Sequence, residues 1–537
     1  MAEALHIEPN GTHPPTLRIR NIVAGTEREA AGERRADDLS ACDRRDRVAT
    51  FPLCDASDVR AACEVARSAQ DGWARTPAPL RGEVVGRVGA LLRTHKERLS
   101  RVVCREIGKT MREARGEVQE AIDTAAFFQS EGRRLYGQTV YSEMPSKELF
   151  TYRRPLGVAA MITAGNFPIA VPSWKIIPAL VCGNAVVWKP SEDAPAIAYL
   201  FARLFADAGL PPGVLNVVFG TGPSAGAGVL EAVDAGLVDK VSFTGSTEVG
   251  RRVGEVCGRN LQVPSLELGG KNPMVVLRDA DLDLAVEGAI FSGFGTAGQR
   301  CTSLANLVLD RPIADDFRHR LLERVAQIRI GNPTQSEDVL YGPMIAERFF
   351  SRFMEHFSMG REGGARNLIE SEGRITSDAP HPGFVGDPDA GLYVHPALWD
   401  GVRIDSALGQ TEVFGPTINL IEVDGFERAL EVANGTPYGL SSALYTRDPE
   451  AMMRFKEGIR AGMTSINNTT SGAEAHLPFG GNGWSGNGTR ESGIWVLDAY
   501  TRWQSVNQDL AGKLQLAQID VSYGEAEAAT DLTALDG

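Results

Sequence analysis

The chain has 537 residues, 43% of them hydrophobic and 23% charged, the balance of a folded globular protein rather than a disordered or coiled-coil one. One core stops growing near roughly 250–300 residues, so two large domains, or one with several small units, are expected. The 55 basic and 69 acidic side chains leave a net charge of −14, a surface that repels phosphate backbones and argues against a nucleic-acid partner.

In chain order, residues 1–20 are polar and lack the apolar centre of a signal peptide, and residues 1–15 read as a flexible N-terminus. Between Asp55 and Trp73, the apolar positions Val59, Ala62, Cys63, Ala66 and Trp73 fall on one helical face. Val84, Val88, Leu91 and Leu92 begin a second helical run, continued by Leu99, Val102, Val103 and Ile107. From 157 to 277, short valine-rich runs (157–163, 185–189, 214–219, 238–243) alternate with helical stretches. That alternation predicts parallel βαβ units with helices on both faces and ligands at the carboxyl ends of the strands. A second α/β pattern covers about 268–464, with strands at 307–309 and 417–422 and helices at 313–328 and 426–432. The Gly/Pro/Asp-rich stretch 372–393 reads as a loop excursion, and the alanine- and acid-rich tail beyond about Tyr523 as a solvated extension. No stretch approaches the roughly 20 apolar residues needed to cross a bilayer. Seven cysteines without C-x-x-C spacing suit a reducing compartment, with the cytoplasm as the expected location. Eight histidines form neither H-E-x-x-H nor a Cys/His cluster, so no metal site is expected.

Three residue types suit nucleophilic chemistry. Cys301 lies in F-G-T-A-G-Q-R-C-T-S, where Gly295 and Gly298 free the backbone to approach a ligand and neighbouring Arg300 would favour the thiolate. A lone cysteine is more often a small buried hydrophobe. Glu267 in L-E-L-G-G-K-N-P stands at a strand end between Leu266 and Leu268, which would raise its pKa toward that of a useful general base. A glutamate held by backbone amides would look the same. Asn166 in A-G-N-F-P follows a strand and precedes a helix, so its amide can point into the crevice as an oxyanion donor, or serve as a turn residue. Two more pieces suit a dinucleotide. Lys189-Pro-Ser-Glu192 ends a strand and offers an ammonium and a carboxylate to ribose hydroxyls. Phe243-Thr-Gly-Ser246-Thr opens a helix whose N–H groups can meet a pyrophosphate. Gly220-Thr-Gly222 with Gly226 has one residue too many for the usual fingerprint and is weak alone.

N-F-P, K-P-S-E, F-T-G-S, L-E-L-G-G-K, G-Q-R-C-T and E-V-F-G-P, followed by P-F-G-G, occur in the order of the NAD(P)-dependent aldehyde dehydrogenase superfamily, which the chain resembles from about Ile22 to Val506. The resemblance implies that Cys301 attacks the aldehyde carbon to give a thiohemiacetal. Asn166 and the Cys301 N–H would hold the oxyanion, hydride would pass to the nicotinamide, and Glu267 would activate the water that hydrolyses the thioester. Lys189 and Glu192 would bind the adenosine ribose, Ser246 the pyrophosphate and Glu412 the nicotinamide ribose, with Phe414 near the nicotinamide ring. Thr163, Ser191, Gly222, Phe243, Gly245 and Leu268 complete the implied cofactor set. Lys175 and Glu491 match a pair the family can use to relay protons. The implied architecture is α/β: a parallel-sheet cofactor domain (16–128 and 153–267), an α/β catalytic domain (268–464) and a small β oligomerisation unit (129–152 and 485–510), with a tail at 511–537. That unit implies a homodimer or homotetramer.

Many relatives have Pro-Trp before N-F-P, whereas here Ala164-Gly165 stands there; losing the indole would open space near the nicotinamide. The 372–393 loop also looks longer than usual, and is expected to decorate the surface rather than cover the substrate entrance. G-E-V-Q-E (116–120), G-T-A-G-Q-R-C-T (295–302) and S-G-A-E (471–474) resemble the antiquitin branch, which oxidises α-aminoadipic semialdehyde. By that likeness Glu120 would meet the substrate ammonium, and Arg300 with the backbone around Gly472 and Ala473 its carboxylate. Thr302 and Phe479 join that substrate set, and Phe167 and Trp174 would wall the pocket. Against it, Glu120 reads equally as an exposed helix glutamate and Arg300 as a structural partner, and 475–478 stands where the branch is glycine-rich. A general aliphatic or betaine-type aldehyde, CoA-acylating chemistry and a non-catalytic relative are the competing readings. Glu267 argues against the acylating route, and intact Cys301, Glu267 and Asn166 against the relic. Glu192 favours NAD over NADP by repelling a 2′-phosphate, while short Ser191 leaves room for NADP.

Overall fold

The computed structural model describes residues 5–512, 514, 532 and 535. Its first sheet is built from the valine-rich runs. Ser265–Glu267, Lys240–Thr244, Val158–Ile162, Ala185–Lys189 and Leu215–Val217 lie in that spatial order, all parallel. Their near-continuous apolar character follows from burial on both faces. The hairpin Asn21–Val23/Thr26–Arg28 adds an antiparallel edge through Ile22 against Val217. Helices pack on both faces. Ala56–Arg75 begins at a capping box in which Asp55 accepts the Ser57 N–H and Asp58 closes back on the Asp55 N–H.

The second sheet runs Met463–Ile466, Ser441–Tyr445, Asn272–Val276, Leu304–Asp310, Thr417–Val423 and Ala397–Asp400, parallel throughout, with Arg366–Asn367 antiparallel at its edge. A three-stranded antiparallel sheet joins Thr139–Val140, Lys147–Pro155 and Thr501–Asp509. No helix among the described residues is long and apolar enough to cross a membrane, and the described residues hold no cluster suited to a metal ion.

Several sequence expectations need correction. Residues 5–15 are tied down by Ile7–Glu8, which pairs with Thr16–Arg18 at the edge of a four-stranded sheet completed by Arg47–Pro52 and Arg35–Leu39. These strands are too short and polar to leave a periodic signal. The helix Met111–Glu131 runs into the segment expected to begin the small β unit, and a helix, Val496–Tyr500, interrupts that unit's second half. The expected tail at 511–537 lies almost wholly outside the described residues. The 372–393 stretch contains no named strand or helix. It is anchored by an Arg45–Asp387 ion pair (3.0 Å) and by the Tyr393 hydroxyl donating to the Cys42 carbonyl (2.9 Å), and none of it lines the cavity around Cys301 described below.

Candidate active site

A cavity of about 450 Å³ opens where both sheets present carboxyl ends of their strands. Ala164–Phe167, Thr244–Ser246 and Glu267–Gly269 reach it from the first sheet, and Ser471–Ala473 follow the last strand of the second.

Cys301 enters on a taut segment. Thr296, Ala297 and Gly298 have φ of 52°, 52° and 67°, three successive left-handed residues that only surrounding contacts can hold. The Thr296 hydroxyl donates to Glu113 (2.9 Å) and accepts from Arg300 Nε (3.0 Å), while Arg300 pairs with Glu113. Asn272 Nδ2 donates to the Cys301 and Ser303 carbonyls (2.7 and 2.8 Å), and the Thr470 hydroxyl donates to the Thr302 carbonyl (2.7 Å). Cys301, the expected nucleophile, is therefore clamped on both sides.

The expected thiolate-favouring effect of Arg300 is overturned. Burial pushes the Cys301 thiol up to about 12, with the charges of Glu267 and Glu412 adding to the rise. Arg300 turns away to Glu113 and stacks on Phe291, 4.6 Å from the ring centroid, so its charge is spent there. Glu267 is 3% exposed, and among the described residues neither carboxylate oxygen makes a well-formed hydrogen bond. Burial first, and then Glu491, hold its carboxyl well above the usual range. Asn166 Nδ2 donates one hydrogen to the Gln299 carbonyl (2.9 Å), leaving its second amide hydrogen for the cavity. Behind Glu267, buried Lys175 pairs with Glu491 and donates to the Ser242 hydroxyl (3.0 Å). Glu491 lines the cavity; Lys175 lies beneath it.

Of the expected cofactor residues, Gly245, Ser246, Leu268, Glu412 and Phe414 line the same cavity. Ser246 caps the helix Thr247–Arg259 by accepting the Val249 N–H (3.4 Å), so first-turn N–H groups face outward as an anion site. Glu412 accepts the Gly270 N–H (3.0 Å), and a Cβ on Gly269 would lie 2.1 Å from its carboxylate. Thr163, Lys189, Ser191, Glu192, Phe243 and Gly222 lie outside the cavity lining. Lys189 and Glu192 pair at 2.9 Å at the end of their strand, and Gly222 opens an exposed turn. This donor set, with a helix N-terminus, a lysine–carboxylate pair and a backbone cradle at Gly269, fits a dinucleotide. At the position of the missing indole Gly165 lines the cavity, and a Cβ there would lie 3.0 Å from the Ser191 hydroxyl.

All the expected substrate residues, Glu120, Phe167, Trp174, Arg300, Thr302, Gly472, Ala473 and Phe479, line the cavity. Trp174 and Phe479 lie 4.8 Å apart between ring centroids. Sequence reasoning missed Arg112, Glu113, Glu117, Phe291 and Arg352, which also line it. The signal was present for three of them: Arg112, Glu113, Gly116, Glu117 and Glu120 share one face at helical spacing.

The aldehyde dehydrogenase family model matches residues 29–506. An α-ketoglutarate semialdehyde dehydrogenase of Haloferax volcanii is 38% identical over 458 residues, covering 84% of this chain and 91% of the relative. A 2,5-dioxopentanoate dehydrogenase of Saccharolobus solfataricus is 34% identical over 472 residues, covering 87% and 95%. A betaine aldehyde dehydrogenase of Staphylococcus aureus solved in complex with NAD+ superposes with a TM-score of 0.86 at 27% identity, covering 94% and 97%. With the motif order, the two-sheet fold and a match spanning most of its length, the chain belongs to the aldehyde dehydrogenase family.

Proposed function

We propose that this NAD(P)-dependent dehydrogenase oxidises a carboxylate-bearing semialdehyde, 2,5-dioxopentanoate, to the dicarboxylic acid. The observation that carries the reading is the polar face of the helix Met111–Glu131 in the cavity wall. There Arg112 makes no ion pair or hydrogen bond among the described residues, and Glu120 has a buried oxygen without a partner. Burial, with Glu117 nearby, pushes Glu120 up to about 8, so near neutral pH it is mainly an acid that can donate to a 2-oxo group. Arg112 supplies the unpaired cation that a carboxylate needs. The names of the relatives at 34–38% identity support the same substrate.

In this reading Glu267 takes the thiol proton as Cys301 Sγ bonds to the aldehyde carbon. Asn166 Nδ2–H and the Cys301 N–H donate to the developing oxyanion. NAD, when bound, supplies the hydride acceptor. Ser246 and the helix start would hold its pyrophosphate, Lys189 and Glu192 the adenosine ribose, and Glu412 the second ribose, with Glu192 favouring NAD. Once Glu267 has passed the thiol proton on toward Glu491 and Lys175, it takes a proton from water, whose oxygen displaces the thiolate and leaves the acid. Lys175 and Glu491 give that proton a buried exit. The oligomer is inferred to form through the three-stranded sheet, whose neighbourhood exposes Tyr136, Tyr152 and Trp503 at 45–48%. The cytoplasm is the compartment that suits seven unpaired cysteines.

A second reading, α-aminoadipic semialdehyde, is favoured by Glu120 if an ammonium draws out its proton. NADH formation with 2,5-dioxopentanoate, α-aminoadipic semialdehyde, hexanal and betaine aldehyde separates them. The expected result is at least about tenfold higher kcat/KM for 2,5-dioxopentanoate, with Arg112→Met raising its KM about tenfold and leaving hexanal unchanged. A preference for α-aminoadipic semialdehyde that Glu120→Gln abolishes would establish the second reading. A preference for hexanal would sink both.

A further inference from the structure

In the cavity wall, Glu117 forms an ion pair with Lys109 behind it that the oxidation itself does not use. Lys109 Nζ donates to Glu117 Oε2 at 2.6 Å, with the two side chains 1% and 0% exposed. Burying such a pair costs desolvation that its attraction only partly returns, and two apolar side chains would hold the core as well. What apolar side chains cannot supply is the set of further contacts made here. Lys109 Nζ sits over the Phe167 ring, 3.2 Å from its centroid. Glu117 Oε1 accepts the Ile169 N–H (2.8 Å) and the Ala170 N–H (3.3 Å). Those donors open the helix Ala170–Val181, which has no side-chain cap of its own and carries Trp174 and Lys175. Asn166, Phe167, Ile169 and Ala170 thus form one turn gripped at its ring and at its backbone by two side chains from outside it.

We propose that Lys109 and Glu117 are positioning residues that fix the Asn166–Phe167 turn against Cys301. The Lys109 cation holds the Phe167 ring, Glu117 holds the following helix start, and Asn166, next to Phe167 in the chain and in the same cavity wall as Cys301, is left with one orientation. Among the described residues its side chain makes one hydrogen bond, to the Gln299 carbonyl, and the amide is free to swing when the ring beside it is loose. The inference concerns the step in which the oxyanion forms, common to every aldehyde, and does not depend on which substrate is physiological.

The test is a double-mutant cycle on the single-turnover NADH burst, with 2,5-dioxopentanoate and hexanal in parallel, using Lys109→Met, Phe167→Leu and the double variant. Lys109→Met is expected to slow the burst about tenfold, with NAD affinity and alkylation of Cys301 by iodoacetamide unchanged. Added to Phe167→Leu, it is expected to cost almost nothing more, because the ring it grips is gone. If Lys109→Met fails to fold with Glu117 left unpaired, Lys109→Met/Glu117→Gln takes its place with the same expectation. Additive losses, or an undiminished burst in the folded variant, overturn the proposal.

Discussion

Around Cys301, the packing that excludes water also opposes ionisation. The thiol is pushed up to about 12 by burial and by the carboxylates of Glu267 and Glu412, and Glu267 is itself raised by burial and by Glu491. Two acids with raised pKa values both gain their reactive, deprotonated forms as pH rises. The rate of aldehyde oxidation is therefore expected to climb from neutral into alkaline solution. A kcat/KM profile from pH 6 to 10 checks this, and a profile falling with pH would contradict it. Glu267→Gln removes one of the two titrating groups, and is expected to lower kcat by about 10²–10⁴-fold while leaving the rise that the Cys301 thiol contributes. Cys301, Glu267 and Asn166 were legible from residue type and motif. The state of the thiol was not, because Arg300 stands beside Cys301 in sequence but pairs with Glu113 in space.

The strands and helices were legible wherever a run was long and periodic. The expected 185–189 strand matches Ala185–Lys189, and the expected 313–328 helix is observed as Arg311–Val325. The short N-terminal strands escaped notice because their stability comes from partners distant in sequence, not from their own pattern. Gly360 makes the same point in a helix. In sequence it is a weak helix former that alanine would improve by about 1 kcal/mol. In the fold it lies in Glu347–Glu362 against Trp399, where a Cβ would approach the ring to 2.4 Å. Gly360→Ala is therefore expected to destabilise by about 1–3 kcal/mol through overpacking, seen as a lower thermal midpoint. A higher midpoint would show that the indole moves aside.

At the scale of the molecule, the three-stranded sheet pairs Lys147–Pro155 with Thr501–Asp509, which brings segments far apart in the chain side by side. Arg153 lies 4.1 Å from the Trp503 ring centroid and 5.3 Å from that of Tyr136, and both rings are about half exposed. Such a patch suits a second copy of this chain. Light scattering during gel filtration is expected to give a dimer or tetramer for the native chain and a smaller species for Tyr152→Asp/Trp503→Asp. A monomeric native chain would remove the oligomer from the account.

The sequence by itself determined the family and the α/β alternation, and singled out the residues that the fold gathers at one cavity, because motif spacing and local periodicity are written along the chain. Only the tertiary structure decided which way Arg300 points, that burial raises the Cys301 thiol and the Glu120 carboxyl, and that residues 7–8 belong to a sheet. Each of these depends on burial or on a partner from another segment. Charge and hydrogen bonding respond to what surrounds a group in space, and that neighbourhood exists only once the chain has folded.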